Sequence, residues 1–171
     1  RDARTGVDGA SIPPGEQDRA LWQHEEVAEG VALIDQAMAR RAPGPYQIKA
    51  AIAACHMEAH GPDWPQIAAL YDSLLRFEPT AVVRLNRAVA YGEAQSAELG
   101  LRMIEDLGRD LADYQPYHAV RAAMLSRNGM IAAALEAYDT ALTMTNSIAD
   151  AGFLTRKRSE LASKANQASN S

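Results

Sequence analysis

The feature that most constrains this chain is a recurrence. Ile67, Tyr71 and Pro79 are matched 33 residues on by Gly100, Ile104 and Ala112, and a further 34 on by Ala134, Tyr138 and Asn146. Twelve positions ahead of each set stands a small residue: Cys55, Ala88 and Ala122. A period of this length made of two helical patterns predicts stacked helical hairpins, because one hairpin cannot bury its apolar face alone. The small residues let the paired helices approach closely, and the large residue at 71, 104 or 138 fills the groove between successive pairs. Such a stack curves, and the first helices of the pairs line its concave side.

The clearest single element is 63–79, DWPQIAALYDSLLRFEP. Asp63 suits an N-cap and Pro65 the first turn, where a missing amide hydrogen costs nothing. Ile67, Leu70, Tyr71, Leu74 and Leu75 form one apolar stripe, and Pro79 follows the last turn. Three pairs are expected over residues 43–146: 46–60 with 63–79, 80–94 with 96–107, and 116–128 with 130–145. In the second pair Val82, Leu85, Ala88, Val89 and Tyr91 are assigned to the inner side. Residues 147–165 are expected to cap the array, with Phe153, Leu154 and Leu161 on one side and Arg156, Lys157, Arg158 and Glu160 on a solvated other side. Residues 1–15 read as a linker or extended arm. Residues 16–42 read as a helical leader, its stretch 25–41 marked by Val27, Val31, Ile34 and Met38 and resembling a degenerate leading repeat. Residues 166–171 read as a mobile tail. The expected fold class is all-α: a tetratricopeptide-like helical-hairpin array, an α-solenoid, with a C-terminal capping helix.

Composition narrows the function. Apolar residues make up 47% of the chain but aromatics only 6%, which suits close-packed helices better than a β-sandwich. A net charge of −5 argues against a broad phosphate-binding face, and the basic run 156–158 reads as the solvated face of a helix. The single cysteine excludes an internal disulfide framework and fits a reducing, cytoplasmic setting. No stretch approaches the roughly 20 apolar residues of a membrane span, and no charged-then-apolar leader opens the chain. Cys55, His56 and His60 bring metal ligands near one another, but H-M-E-A-H departs from the metalloprotease order and Cys55 falls on the small packing position. No metal and no cofactor are expected. Without a serine elbow or a glycine-rich phosphate loop, no catalytic residues are assigned and the chain is expected not to be an enzyme.

The candidates for binding are polar and aromatic residues on the first helices: Tyr46, Gln47 and Lys49; Arg84, Asn86 and Arg87; Tyr117, His118 and Arg121. Asn and Arg can hold a peptide backbone or a carboxylate by paired hydrogen bonds, and Tyr supplies rigid contact area. As a group they predict a protein-binding groove; a generic peptide scaffold or a small-molecule sensor in the same groove are the alternatives.

Several phrases are more specific than the period: EQDRALW (16–22), AEGVALID (28–35), APGPYQIKAAIAACH (42–56), DWPQIAALYDSLLRFEPTAVVRLNRAVA (63–90) and PYHAVRAAMLSRNG (116–129). In this order they resemble the tetratricopeptide-like C-terminal extension of a group of extracytoplasmic-function (ECF) RNA polymerase sigma factors, with residues 44–90 the most specific part. The resemblance implies a regulatory domain that modulates or enables transcription initiation through its own sigma regions, core polymerase or a signalling protein. No basic helix-turn-helix pattern is present, so direct nucleic-acid binding is not expected, and the start at Arg1 fits an extension separated from its sigma portion. On that reading Gln17, Asp18, Arg19 and Trp22 form an interdomain cluster.

Overall fold

The computed structural model describes residues 44–58 and 60–169 of the chain. The leader, the linker and the cluster of Gln17, Asp18, Arg19 and Trp22 lie outside the described residues. Within them the protein is all-helical: α1 (Pro45–His56), α2 (Trp64–Leu74), α3 (Ala81–Ala94), α4 (Ala97–Ile104) continued by a 3-10 turn (Glu105–Leu107), α5 (Gln115–Arg127), α6 (Ile131–Met144) and α7 (Ile148–Ser169). No strand occurs among the described residues.

Local chemistry sets the boundaries. The Asp63 carboxylate accepts the Gln66 amide hydrogen at 3.0 Å, and Pro65 sits in the first turn of α2 as its sequence predicts. Thr80 Oγ1 accepts from the Val83 amide and Ser96 Oγ from the Leu99 amide, each at 3.2 Å. Each bond satisfies one amide that the first helical turn leaves without a partner. Helix α5 ends on Gly129, whose φ of 74° is open to glycine at little cost. The Gly129 amide bonds to Ser126 O and the Met130 amide to Leu125 O, the paired closure typical of a helix ending in a left-handed residue.

Consecutive helices pack against one another along the chain, and short connections make each an antiparallel neighbour of the next. Three apolar clusters result. The first joins α1 and α2 with Val83 and Ala90 of α3; the second joins α3 and α4 with Tyr117 and Met124 of α5; the third joins α5 and α6 with Leu154 and Leu161 of α7. Thus α3, α5 and α7 each push an i, i+7 pair into the core of the preceding helices. The recurring positions behave alike: Cys55, Ala88 and Ala122 are buried, as are Ile67, Gly100 and Ala134, whereas Pro79, Ala112 and Asn146 are exposed.

Gly100 serves a close approach. A Cβ built there would lie 2.7 Å from Met124 Cε and 2.9 Å from its sulfur, and one on Gly92 would lie 3.2 Å from the same Cε. The two glycines form a notch that receives the Met124 side chain.

Some expectations are corrected. Helix α1 ends at His56 rather than at 60: Met57 leaves helical geometry, its amide bonding to Ala54 O in a tighter turn, and Gly61, at φ 106°, turns the chain toward α2. Val82, in the first turn of α3, is 36% exposed rather than buried inside, and it borders the open groove between α1, α2 and α3. The last helix continues through residues 166–169, where the sequence predicts a mobile tail.

Candidate functional site

An open groove of about 460 Å³ is bounded by α1, α2 and the start of α3. Its floor is apolar, from Ile52, Leu74 and Val83, and its rim carries Lys49, Glu78 and Asn86. Lys49 Nζ lies 2.7 Å from Glu78 Oε1, bridging α1 to the turn after α2. Tyr71 and His56 also face the groove. Burial raises the Tyr71 pKa and lowers that of His56, because loss of water disfavours the charged form of each. The His56 ring meets Trp64 edge-on, with centroids 5.2 Å apart, which fixes its orientation.

The binding candidates divide among different roles. Lys49 and Asn86 are brought together on the groove rim. Tyr46 stands at the start of α1, 81% exposed, with Lys49 Nζ 5.9 Å from its ring centre. Gln47 is half-buried beside Gly44, where a Cβ would meet its Oε1 at 3.0 Å. Arg84 is exposed on α3 outside the groove lining.

Arg87 is occupied by the protein itself. Its Nε donates to Asp72 Oδ1 at 2.5 Å and its guanidinium lies 4.9 Å from the Tyr91 ring centre, while the Tyr91 hydroxyl donates to Asp72 Oδ2 at 2.7 Å. That hydrogen bond to Asp72, with some burial, raises the Tyr91 pKa. This triad fastens α2 to α3. Tyr117 is a correction: at 7% exposure it belongs to the second core cluster, packed beneath Gly108. It lies at the register position by which α5 enters the preceding core, and that position faces inward. His118 is held by Ala112 O at 2.7 Å and by an edge contact with the Tyr117 ring. Arg121 is half-buried on α5, apart from the groove.

Glu78, His56 and Tyr71 are groove residues that sequence reasoning had not assigned to binding. Glu78 lies beyond the last turn of α2, where helical periodicity no longer reports direction; only its charge opposite Lys49 could have signalled the pair. Cys55 is buried, and burial first, then the Glu58 and Asp63 charges, raises its thiol pKa, making it a poor nucleophile. Among the described residues no group of three or more His, Cys, Asp or Glu side chains is placed to hold a metal ion. No helix among them is long and apolar enough to cross a membrane.

No family model matches the chain. It is similar to an uncharacterized protein of Rhizobium meliloti (strain 1021), at 40% identity over 165 residues that take in 95% of this chain. The match covers 39% of the relative, so the chain spans about two fifths of the length of the curated protein it resembles.

Proposed function

We propose that this chain is a protein-interaction domain of the tetratricopeptide-like, solenoid class and that it works by contact rather than catalysis. In this reading it is the regulatory C-terminal part of a cytoplasmic ECF sigma factor, acting on transcription initiation through its sigma regions, core polymerase or a signalling protein. The observation that carries the proposal is a coincidence of wording and shape. The segment most specific in its resemblance, 44–90, is the one that forms α1, α2 and α3 and with them the groove. The common register of buried small residues at 55, 88 and 122 supports the repeat assignment. The much greater length of the Rhizobium relative is compatible with further regions in proteins of this kind.

The test is a reporter assay of the full-length protein with and without this domain at a target promoter. Deletion is expected to change the output; equal transcription from both would sink the proposal. A pull-down with Lys49→Ala and Asn86→Ala separates the sigma-factor reading from a generic peptide scaffold. Loss of captured sigma regions or polymerase supports the first, and loss of an unrelated protein with polymerase never captured supports the second.

A further inference from the structure

We infer that the outer face of α1 is a docking surface whose occupant is the stretch carrying Val27, Val31, Ile34 and Met38 of this same chain. Helix α1 is apolar on two opposite sides. Ile48, Ala51, Ile52 and Cys55 are buried in the first core cluster. On the opposite side stand Tyr46, Ala50, Ala53 and Met57, spaced i, i+4, i+7 and i+11, with Gln47, Lys49 and His56 on the flanks and Ala53 also reaching the edge of the groove. Tyr46, Ala50 and Ala53 are exposed and Met57 is half-buried. A helix without a charged face is one that expects cover on both sides.

The register states what kind of cover. Ala50 corresponds to Val83 and Tyr117, and Met57 to Ala90 and Met124, at the same 33- and 34-residue steps as Cys55, Ala88 and Ala122. In α3 and α5 these pairs are the side chains pushed into the preceding core, Val83 and Tyr117 each 7% exposed, Ala90 1% and Met124 4%. Helix α1 presents the corresponding pair with no preceding helix among the described residues.

Just ahead in the sequence, Val27, Val31, Ile34 and Met38 repeat the i, i+4, i+7, i+11 spacing, and only residues 39–45 separate Met38 from Tyr46. A connection of that length is within the range that links antiparallel helical neighbours. Tethering so close also gives this stretch an effective concentration in the millimolar range, which a second copy or a separate protein must exceed. Docked antiparallel, the stretch would set Ile34 opposite Ala50 and Val31 opposite Ala53 by their spacing in the sequence.

The test uses the whole chain in a Cys55→Ala background, since alanine already stands at the equivalent positions 88 and 122. The pairs Ile34→Cys with Ala50→Cys and Val31→Cys with Ala53→Cys are oxidised in dilute solution. Rapid intramolecular cross-linking is expected for both, with little for Gln36→Cys with Ala53→Cys, whose first cysteine lies on the opposite side of the stripe. Equal rates for all three, or cross-linking between chains, overturns the assignment. Independently, Ala53→Glu is expected to lower the unfolding midpoint by roughly 5 °C, and Ala123→Glu, at an exposed site on α5, is not. Identical midpoints for those two variants would also overturn it.

Discussion

At the scale of single residues, the contact between Gly100 and Met124 decides a sign that helix propensity alone gets wrong. Alanine at an exposed interior helix position is favoured over glycine by about 1 kcal/mol. Here the added methyl would strike Met124 Cε and Sδ at less than 3 Å, with that side chain 4% exposed and the fixed Ala88 carbonyl oxygen 3.1 Å away, and overpacking of a formed core typically costs about 1–3 kcal/mol. Gly100→Ala is therefore expected to lower stability in urea titrations. Combining it with Met124→Ala should cost less than the sum of the two, because the new methyl then occupies part of the space vacated. A stabilising or strictly additive result would refute the notch. Gly129 tests backbone rather than packing: nothing lies within 4 Å of a Cβ there. Gly129→Ala should still cost about 1 kcal/mol, because of its positive φ.

At the scale of elements, the joints between neighbouring helices carry polar fasteners as well as apolar cores. Asp72 ties α2 to Arg87 and Tyr91 of α3, and Asp139 ties α6 to Arg158 of α7. Both aspartates follow a tyrosine in the same register, at 71–72 and 138–139. The Asp72–Arg87 side chains are 42% and 34% exposed, so solvent screening limits Asp72→Ala to a loss of about 1 kcal/mol. A double-mutant cycle with Tyr91→Phe should show positive coupling, and independent effects would argue against the triad. The Asp139–Arg158 pair is more exposed to solvent and should fade with added salt. The helices themselves were largely legible in the sequence, since Asp63, Pro65 and the 33-residue register are local signals. The fasteners were not. Arg87 and Arg158 look like free surface cations until the neighbouring helix is placed beside them. Tyr117 likewise appears as an amphipathic first-helix residue, and only its match to buried Val83 marks it as core.

At the scale of the whole molecule, stability should depend on pH on both sides of neutrality. Burial raises Tyr71, Tyr138 and Cys55, and the bond to Asp72 raises Tyr91, above reference values of 10.0 for tyrosine and 9.0 for cysteine. Their protonated forms are favoured by the fold, so this contribution is intact below those values and is lost as pH rises through the folded ones. The unfolding midpoint should fall on alkaline titration, less steeply in Tyr91→Phe. His56 acts in the other direction. Its pKa lies below 6.5 because burial disfavours the cation, so its contribution is full above pH 6.5 and is lost as pH falls from there through the folded value. His56→Gln should flatten that acid limb in circular-dichroism melts, and an unchanged slope would show that the ring is not desolvated as described. The candidate groove was half legible at this scale. Lys49 and Asn86 were named by residue type, but the meeting of α1 with the end of α2 depends on how a turn closes, which no periodicity encodes.

The Met124 notch bears on how such a chain can change over time. If the period arose by copying a helix pair, the copies are no longer spare parts for one another. Ala90 set into the Gly92–Gly100 recess would leave a hole the size of several methylene groups. Conversely, Met in place of Ala90 would drive a long side chain into the first core cluster, already filled by side chains such as Ile67 and Leu70. Each joint has become a lock with its own key, so recombination that shuffles or duplicates pairs should yield weakened proteins unless both sides of the joint travel together. The order of the pairs is thus held by volume matching, without any requirement from a ligand.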